Sequence, residues 1–467
     1  MNVNQQRTSS AGWVCGIALG TFMVWALLGR LLSLGTAISG VLALLPFVGA
    51  AFTLVLVLRP GVISIRAPGA DRLPLLAWVV LFLVAIARSN RPDHEGATGA
   101  LLAAYWLLMF AAVWILSTEL HRRDERIRDA ALFAVCLSPA ALALVNLVLW
   151  RMGVEPPQEL YTDVATSRMA SWFGVDMQRV LFPLARGINS YGAIAGLGIA
   201  GALATALTPG IGAVLRLVAS FLATVSTIVV IMCDSRAALV FGIASALVVT
   251  IASRLGLVRH GRLTIPLMPA LPAIVLSSLL LIANTPLGDA LSRRPGDIES
   301  ATSRVFFWTS AVAHLSQPQP LHVIGWGQYG QAGSGVSDAY GDMFTTYEAD
   351  AELMSLHNST LQLVFDVGLV GLVIVMGVLW RTWGYLSSPR ARSTLKSTGP
   401  LMATLLFVLL EGATEATLSL YFPEILILVT IVISMNRIHR SPPTRARSQS
   451  AARETPELTA LVPEGQL

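Results

Sequence analysis

His357 closes a hydrophilic stretch, residues 285–359, that lies between long hydrophobic segments and ends in His357-Asn358-Ser359-Thr360-Leu361 just as the next apolar segment begins. An imidazole, whose unperturbed pKa is about 6.5, is available in neutral form at ordinary pH to take a proton from a hydroxyl. Polar and ionisable residues held at a membrane boundary mark functional sites more often than polar residues elsewhere. Arg186 and Arg236 each stand at the head of an apolar segment. A guanidinium there either anchors a helix end by snorkelling or binds phosphate oxygens through its forked donors. Glu411 and Glu415, four residues apart near the end of another apolar segment, would share a helix face and could pair with an arginine. Asp234 is placed to orient Arg236, and Asp350 or Glu352 to raise the basicity of His357.

These residues need a scaffold, and the composition supplies one. Of 467 residues 54% are hydrophobic and 13% charged, with mean hydropathy +0.67, against about 25% charged in an ordinary soluble domain. Apolar segments long enough to cross a bilayer fall near 12–29, 38–58, 73–88, 97–117, 130–150, 190–207, 217–233, 237–253, 264–284, 360–380, 400–416 and 418–435. The expected fold is therefore all-α, a polytopic transmembrane bundle of about twelve spans. The short segment 73–88 and the closely spaced pairs 217–253 and 400–435 leave re-entrant hairpins open as alternatives.

Charge placement gives the orientation, because short cytoplasmic loops collect Arg and Lys. With the N-terminus inside, 21 of the 32 basic residues fall on the inner side but only 8 of the 27 acids. The basic balance thus expresses membrane orientation, and no nucleic-acid partner is expected. Cys15, Cys136 and Cys233 lie in or beside spans without CxxC spacing and suit core positions. Two outer stretches, 151–189 and 285–359, mix charges with aromatics. Met169 to Leu181 and Arg304 to His314 both carry the pattern of helices lying on the membrane surface, which would form a helical cap over the outer end of a bundle spanning 1–435. Residues 436–467 have the composition of a solvated, disordered tail.

The string His357-Asn358-x-x-Leu361, followed by Gly368-x-x-Gly371, resembles the signature of the O-antigen ligase and O-antigen polymerase superfamily, polytopic inner-membrane glycosyltransferases. Ser235-Arg236-Ala237, Arg304-x-x-x-Trp308 and Gly325-x-Gly327 agree with it in order and spacing, so that the likeness covers roughly residues 230–380. The resemblance implies an O-antigen ligase that moves a glycan from undecaprenyl diphosphate to lipid A–core at the periplasmic face, without cofactor or metal. It implies His357 as base, Arg186 and Arg236 on the diphosphate, and Arg304, Trp308, Gly325, Gly327 and Asn358 in substrate binding. A polymerase using the same donor, a protein-glycosylating ligase, and a transporter of lipid-linked glycan are the alternatives.

Overall fold

The computed structural model describes residues 72–89, 125–154, 166–185, 187–270, 304–341 and 354–435, with isolated positions between 20 and 120 and between 274 and 285. The described residues are helical, joined by loops and short 3₁₀ segments. The long elements are α1 (Leu73–Ala87), α2 (Glu125–Arg151), α3 (Ile188–Ala206), α4 (Ala213–Cys233), α5 (Arg236–Arg254), α6 (Arg304–Leu315), α7 (Ser359–Leu386), α8 (Thr398–Glu411) and α9 (Pro423–Ser434). Of these, α2, α3, α4, α5 and α7 are long and apolar enough to cross a membrane, while α1, α8 and α9 are apolar but shorter. Most of the expected segments 12–29 and 97–117, all of 38–58 and the tail 436–467 lie outside the described residues.

The helix at the centre is α3, which packs against α2, α4, α5 and α8. Its sequence explains this, since small residues let backbones approach where the lipid supplies no hydrophobic drive for helix association. A Cβ on Gly201 would lie 2.3 Å from the carbonyl oxygen of Cys136 in α2, and one on Gly196 would lie 2.8 Å from both Ala238 of α5 and Phe407 of α8. The described chain alternates in direction. Trp383 near the end of α7 donates to the Val258 carbonyl just past α5 at 3.2 Å, and Lys396 ahead of α8 donates to Gly210 between α3 and α4 at 2.6 Å. The ends of α3, α5 and α7 and the starts of α4 and α8 therefore share one face of the bundle. Arg236 and His357, at the starts of α5 and α7, lie at the opposite end.

One expectation needs correction, and two others gain detail. The stretch 168–181 is not a surface helix: a single turn, Arg168–Ser171, capped by Ser167, gives way to a turn at Gly174 with φ +72° and then to extended chain. There Val180 donates its N–H to the Met232 carbonyl, so the segment is tied to the end of α4 as extended backbone. Ahead of and at the start of the expected span 264–284 lie 3₁₀ turns, Leu257–Thr264 and Met268–Ala270, and of its remainder the isolated positions 274, 277 and 281 are helical. The pair 400–416 and 418–435 becomes two helices of 14 and 12 residues joined by an unwound, largely buried segment, 412–422. Irregular backbone at such a place is tolerated only where protein satisfies its polar groups.

Residues 304–315 are helical, forming α6, with Phe307 and Trp308 buried and Phe306 and Val312 exposed. Beyond it, Gly325-Trp326-Gly327 braces a break in α7. At Gly368 the helix departs to φ +75° and ψ 178°, and the carbonyls of Phe365 and Asp366 accept instead from the N–H groups of Trp326 (2.7 Å) and Gly327 (3.0 Å). A Cβ on Gly368 would meet the Val323 carbonyl oxygen at 2.3 Å. Gly368→Ala is therefore expected to lose more than ~2 kcal/mol, from the left-handed φ and the clash together. Thermal unfolding of the purified protein in detergent reads this directly, and a midpoint equal to wild type would refute it.

Candidate functional site

The site is assembled where the head of α7 meets the unwound segment after α8. Asn358 caps α7, its Oδ1 accepting from the Leu361 N–H at 2.9 Å while its Nδ2 donates to the Ala413 carbonyl at 3.1 Å. Ser359 donates its N–H to the Gly412 carbonyl at 2.8 Å and its hydroxyl to the Glu415 carbonyl at 3.1 Å, and it accepts from the Leu418 N–H. Two consecutive residues thus lash the helix head to 412–418. Asn358 is wholly buried, and both of its amide atoms meet protein, on Leu361 and Ala413. Asn358→Ala removes the cap, worth ~1 kcal/mol, and orphans the buried Ala413 carbonyl, for ~1–3 kcal/mol more. A corresponding fall in unfolding midpoint is expected, and an unchanged midpoint would contradict the capping role.

This lashing brings His357 to Glu415. Nδ1 of His357 lies 2.8 Å from Oε2 of Glu415, and Oε1 of the same carboxylate lies 2.5 Å from a terminal nitrogen of Arg304. Arg304 also donates its Nε–H to the Thr414 carbonyl at 2.9 Å. An ionised carboxylate only accepts, so Nδ1 carries a proton, and in the neutral imidazole Nε2 keeps a lone pair. The Phe307 ring packs 5.4 Å from the imidazole. The Glu415 side chain is 5% exposed and those of His357 and Arg304 about a fifth.

The sequence placed Glu411 and Glu415 on one helix face, but α8 ends at Glu411 and Glu415 lies one turn into the unwound segment. That break turns Glu415 toward His357, while Glu411 stays buried on the helix with Oε2 lacking a hydrogen-bond partner. Asp350 and Glu352, the expected partners of His357, lie outside the described residues, and so does Arg186.

Arg236 opens α5 directly after a tight turn in which Asp234 takes a left-handed φ of +54°. Its side chain is 15% exposed and its guanidinium meets Asp234 at 3.3 Å, and its buried Nε has no hydrogen-bond partner. The second oxygen of Asp234 accepts from the Met169 N–H at 3.1 Å. Because Gly196 touches both Ala238 and Phe407, Arg236 stands ~3 Å and Glu411 ~6 Å above that common level, at 1.5 Å per residue. The head of α5 and the His357–Glu415 cluster therefore lie at one end of the bundle and at similar depth.

Of the other expected site residues, Trp308 is buried, and its Nε1–H donates to the Leu356 carbonyl at 3.1 Å. Gly325 and Gly327, with φ +78° and +99°, lie against the broken part of α7 and the end of α1, where a Cβ would meet the Asp366 and Ala85 carbonyl oxygens at 2.5 and 2.9 Å. Arg304 is engaged with Glu415. Three features were not singled out from sequence: Glu415 as partner of the imidazole; Arg179, which donates to the Cys233 carbonyl beside Arg236 at 3.1 Å; and the buried amides Gln331 and Gln362 behind His357. Gly412 and the run of Thr and Ser after it were the available signal for the first.

Among the described residues, no cluster of three or more His, Cys, Asp and Glu side chains is arranged to hold a metal ion. The arrangement suits general-base chemistry, a carboxylate orienting an imidazole whose other nitrogen is available to a hydroxyl, with cationic side chains at the same end of the bundle. No family model matches the chain, and no curated protein is significantly similar to it in sequence.

Proposed function

We propose that the protein is an O-antigen ligase, a membrane glycosyltransferase that moves a glycan from undecaprenyl diphosphate to a sugar hydroxyl of lipid A–core. The observation that carries this reading is the His357–Glu415–Arg304 cluster, at the head of the helix that bears the family-like string. Basic residues such as Arg126, Arg128, Arg254 and Lys396 gather at the other end of the bundle, which favours a periplasmic site in the inner membrane.

In this mechanism Nε2 of His357 removes the proton of the acceptor hydroxyl as its oxygen attacks the anomeric carbon. The bond from that carbon to the diphosphate oxygen breaks, and the configuration inverts. Glu415 stabilises the imidazolium that forms, as the carboxylate does in hydrolytic triads. Arg236, with an unpartnered Nε, and Arg186 would take up the charge on the departing diphosphate. The activated glycosyl bond supplies the driving force, so the scheme needs no cofactor.

The test is transfer by purified protein from lipid-linked glycan to lipid A–core. Product formation supports the ligase. Deleting the protein separates this reading from that of a polymerase: loss of a ligase leaves bare core with lipid-linked polymer accumulating, whereas loss of a polymerase leaves core bearing one repeat.

A further inference from the structure

We propose that Trp308 and Gln362 are positioning residues that clamp the backbone of Leu356 and thereby set the direction of the His357 imidazole. This rests on the assignment of His357 as the base. His357 adopts φ +47°, a left-handed conformation shared among the described non-glycine residues only with Asp234 and Tyr329. Such a conformation persists only where its surroundings enforce it, and it gathers at functional sites. The enforcement is visible on the preceding residue. The Leu356 carbonyl accepts from the Trp308 indole N–H on α6, and the Leu356 N–H donates to Oε1 of Gln362 on α7, each at 3.1 Å.

The peptide joining Leu356 to His357 is planar, so fixing Leu356 fixes the plane about which φ of His357 turns. The Leu356 side chain is fully buried with Phe307, Trp308 and Phe365, which removes the remaining freedom. Gln362 is itself held. Its Nε2 donates to Oε1 of Gln331 and to Oδ1 of Asp366, both at 2.8 Å, so the amide oxygen faces Leu356. Gln331 in turn donates to the Tyr421 hydroxyl at 2.5 Å and to the Met354 carbonyl at 3.2 Å. Both hydrogen bonds end on the Leu356 backbone, so their effect on chemistry would pass through it.

The experiment compares full-length wild type, Trp308→Phe and Gln362→Met in detergent, measuring steady-state glycan transfer to lipid A–core with His357→Ala as reference. Trp308→Phe keeps an aromatic ring and removes one hydrogen bond; Gln362→Met removes the other at similar volume. Each is expected to lower kcat by roughly 10- to 100-fold, as misplacement of a reacting group by about 1 Å does, with KM for both substrates held within about twofold. In ¹⁵N-histidine-labelled protein, the Nδ1–H signal assigned to His357 should shift or broaden in both variants. If both keep wild-type kcat and the wild-type signal while His357→Ala is inactive, the clamp is wrong and the base assignment stands. The clamp is equally overturned if the variants merely unfold at lower temperature with kcat and the signal unchanged. If His357→Ala itself transfers glycan normally, the assignment beneath the proposal fails.

Discussion

Replacing His357 with alanine is expected to abolish glycan attachment in cells while the protein remains inserted in the membrane. A positioned general base contributes roughly 10²–10⁴-fold to rate, and among the described residues no second imidazole is bound to Glu415 to replace it. The fold should survive, because the Glu415 carboxylate keeps its bond to Arg304 and the tie between α7 and the unwound segment runs through Asn358 and Ser359. Membrane fractionation with a lipopolysaccharide gel checks both halves. A normal ladder of long chains would reject the role of His357, and loss of the protein from the membrane fraction would reject its separation from folding.

Glu415→Gln is expected to lower kcat by a similar or larger factor, on the order of 10³–10⁴, as loss of the orienting carboxylate does in hydrolytic triads. The carboxylate accepts from His357 through one oxygen and from Arg304 through the other. An amide has one accepting oxygen and one donating nitrogen, so glutamine must turn an N–H toward one of these donors. Either the imidazole changes tautomer and loses the lone pair on Nε2, or the Arg304 guanidinium loses its partner.

Much of the scaffold was legible in the sequence because hydropathy and length report spans directly, as for α2, α3, α4, α5 and α7. The head of α7 was legible too, since His357 and Asn358 sit where an apolar run begins. The partner of His357 was not. Asp350 and Glu352 are near in sequence, whereas Glu415 is 58 residues away and reaches the imidazole only because α8 stops at Glu411. Periodicity continues past that point, so Glu411 and Glu415 looked like one helical face. The same limit affected Met169–Leu181, where apolar and charged residues alternate as in an amphipathic helix but Gly174 interrupts the chain. Hydropathy pattern registers burial, and such breaks are decided by backbone hydrogen bonds between distant segments, as between Val180 and Met232.

The interruption at Gly368 separates two demands that an unbroken rod would have to meet together. The stretch below it has to match the thickness and tilt of whatever bilayer surrounds it, and helices accommodate such mismatch by leaning or shifting. The nine residues from Ser359 to Val367 are instead pinned from the side, through the carbonyls given to Trp326 and Gly327. Residues 369–386 can therefore diverge to suit a different lipid environment without dragging the imidazole from its place, which leaves selection on membrane fit and selection on chemistry free to proceed independently.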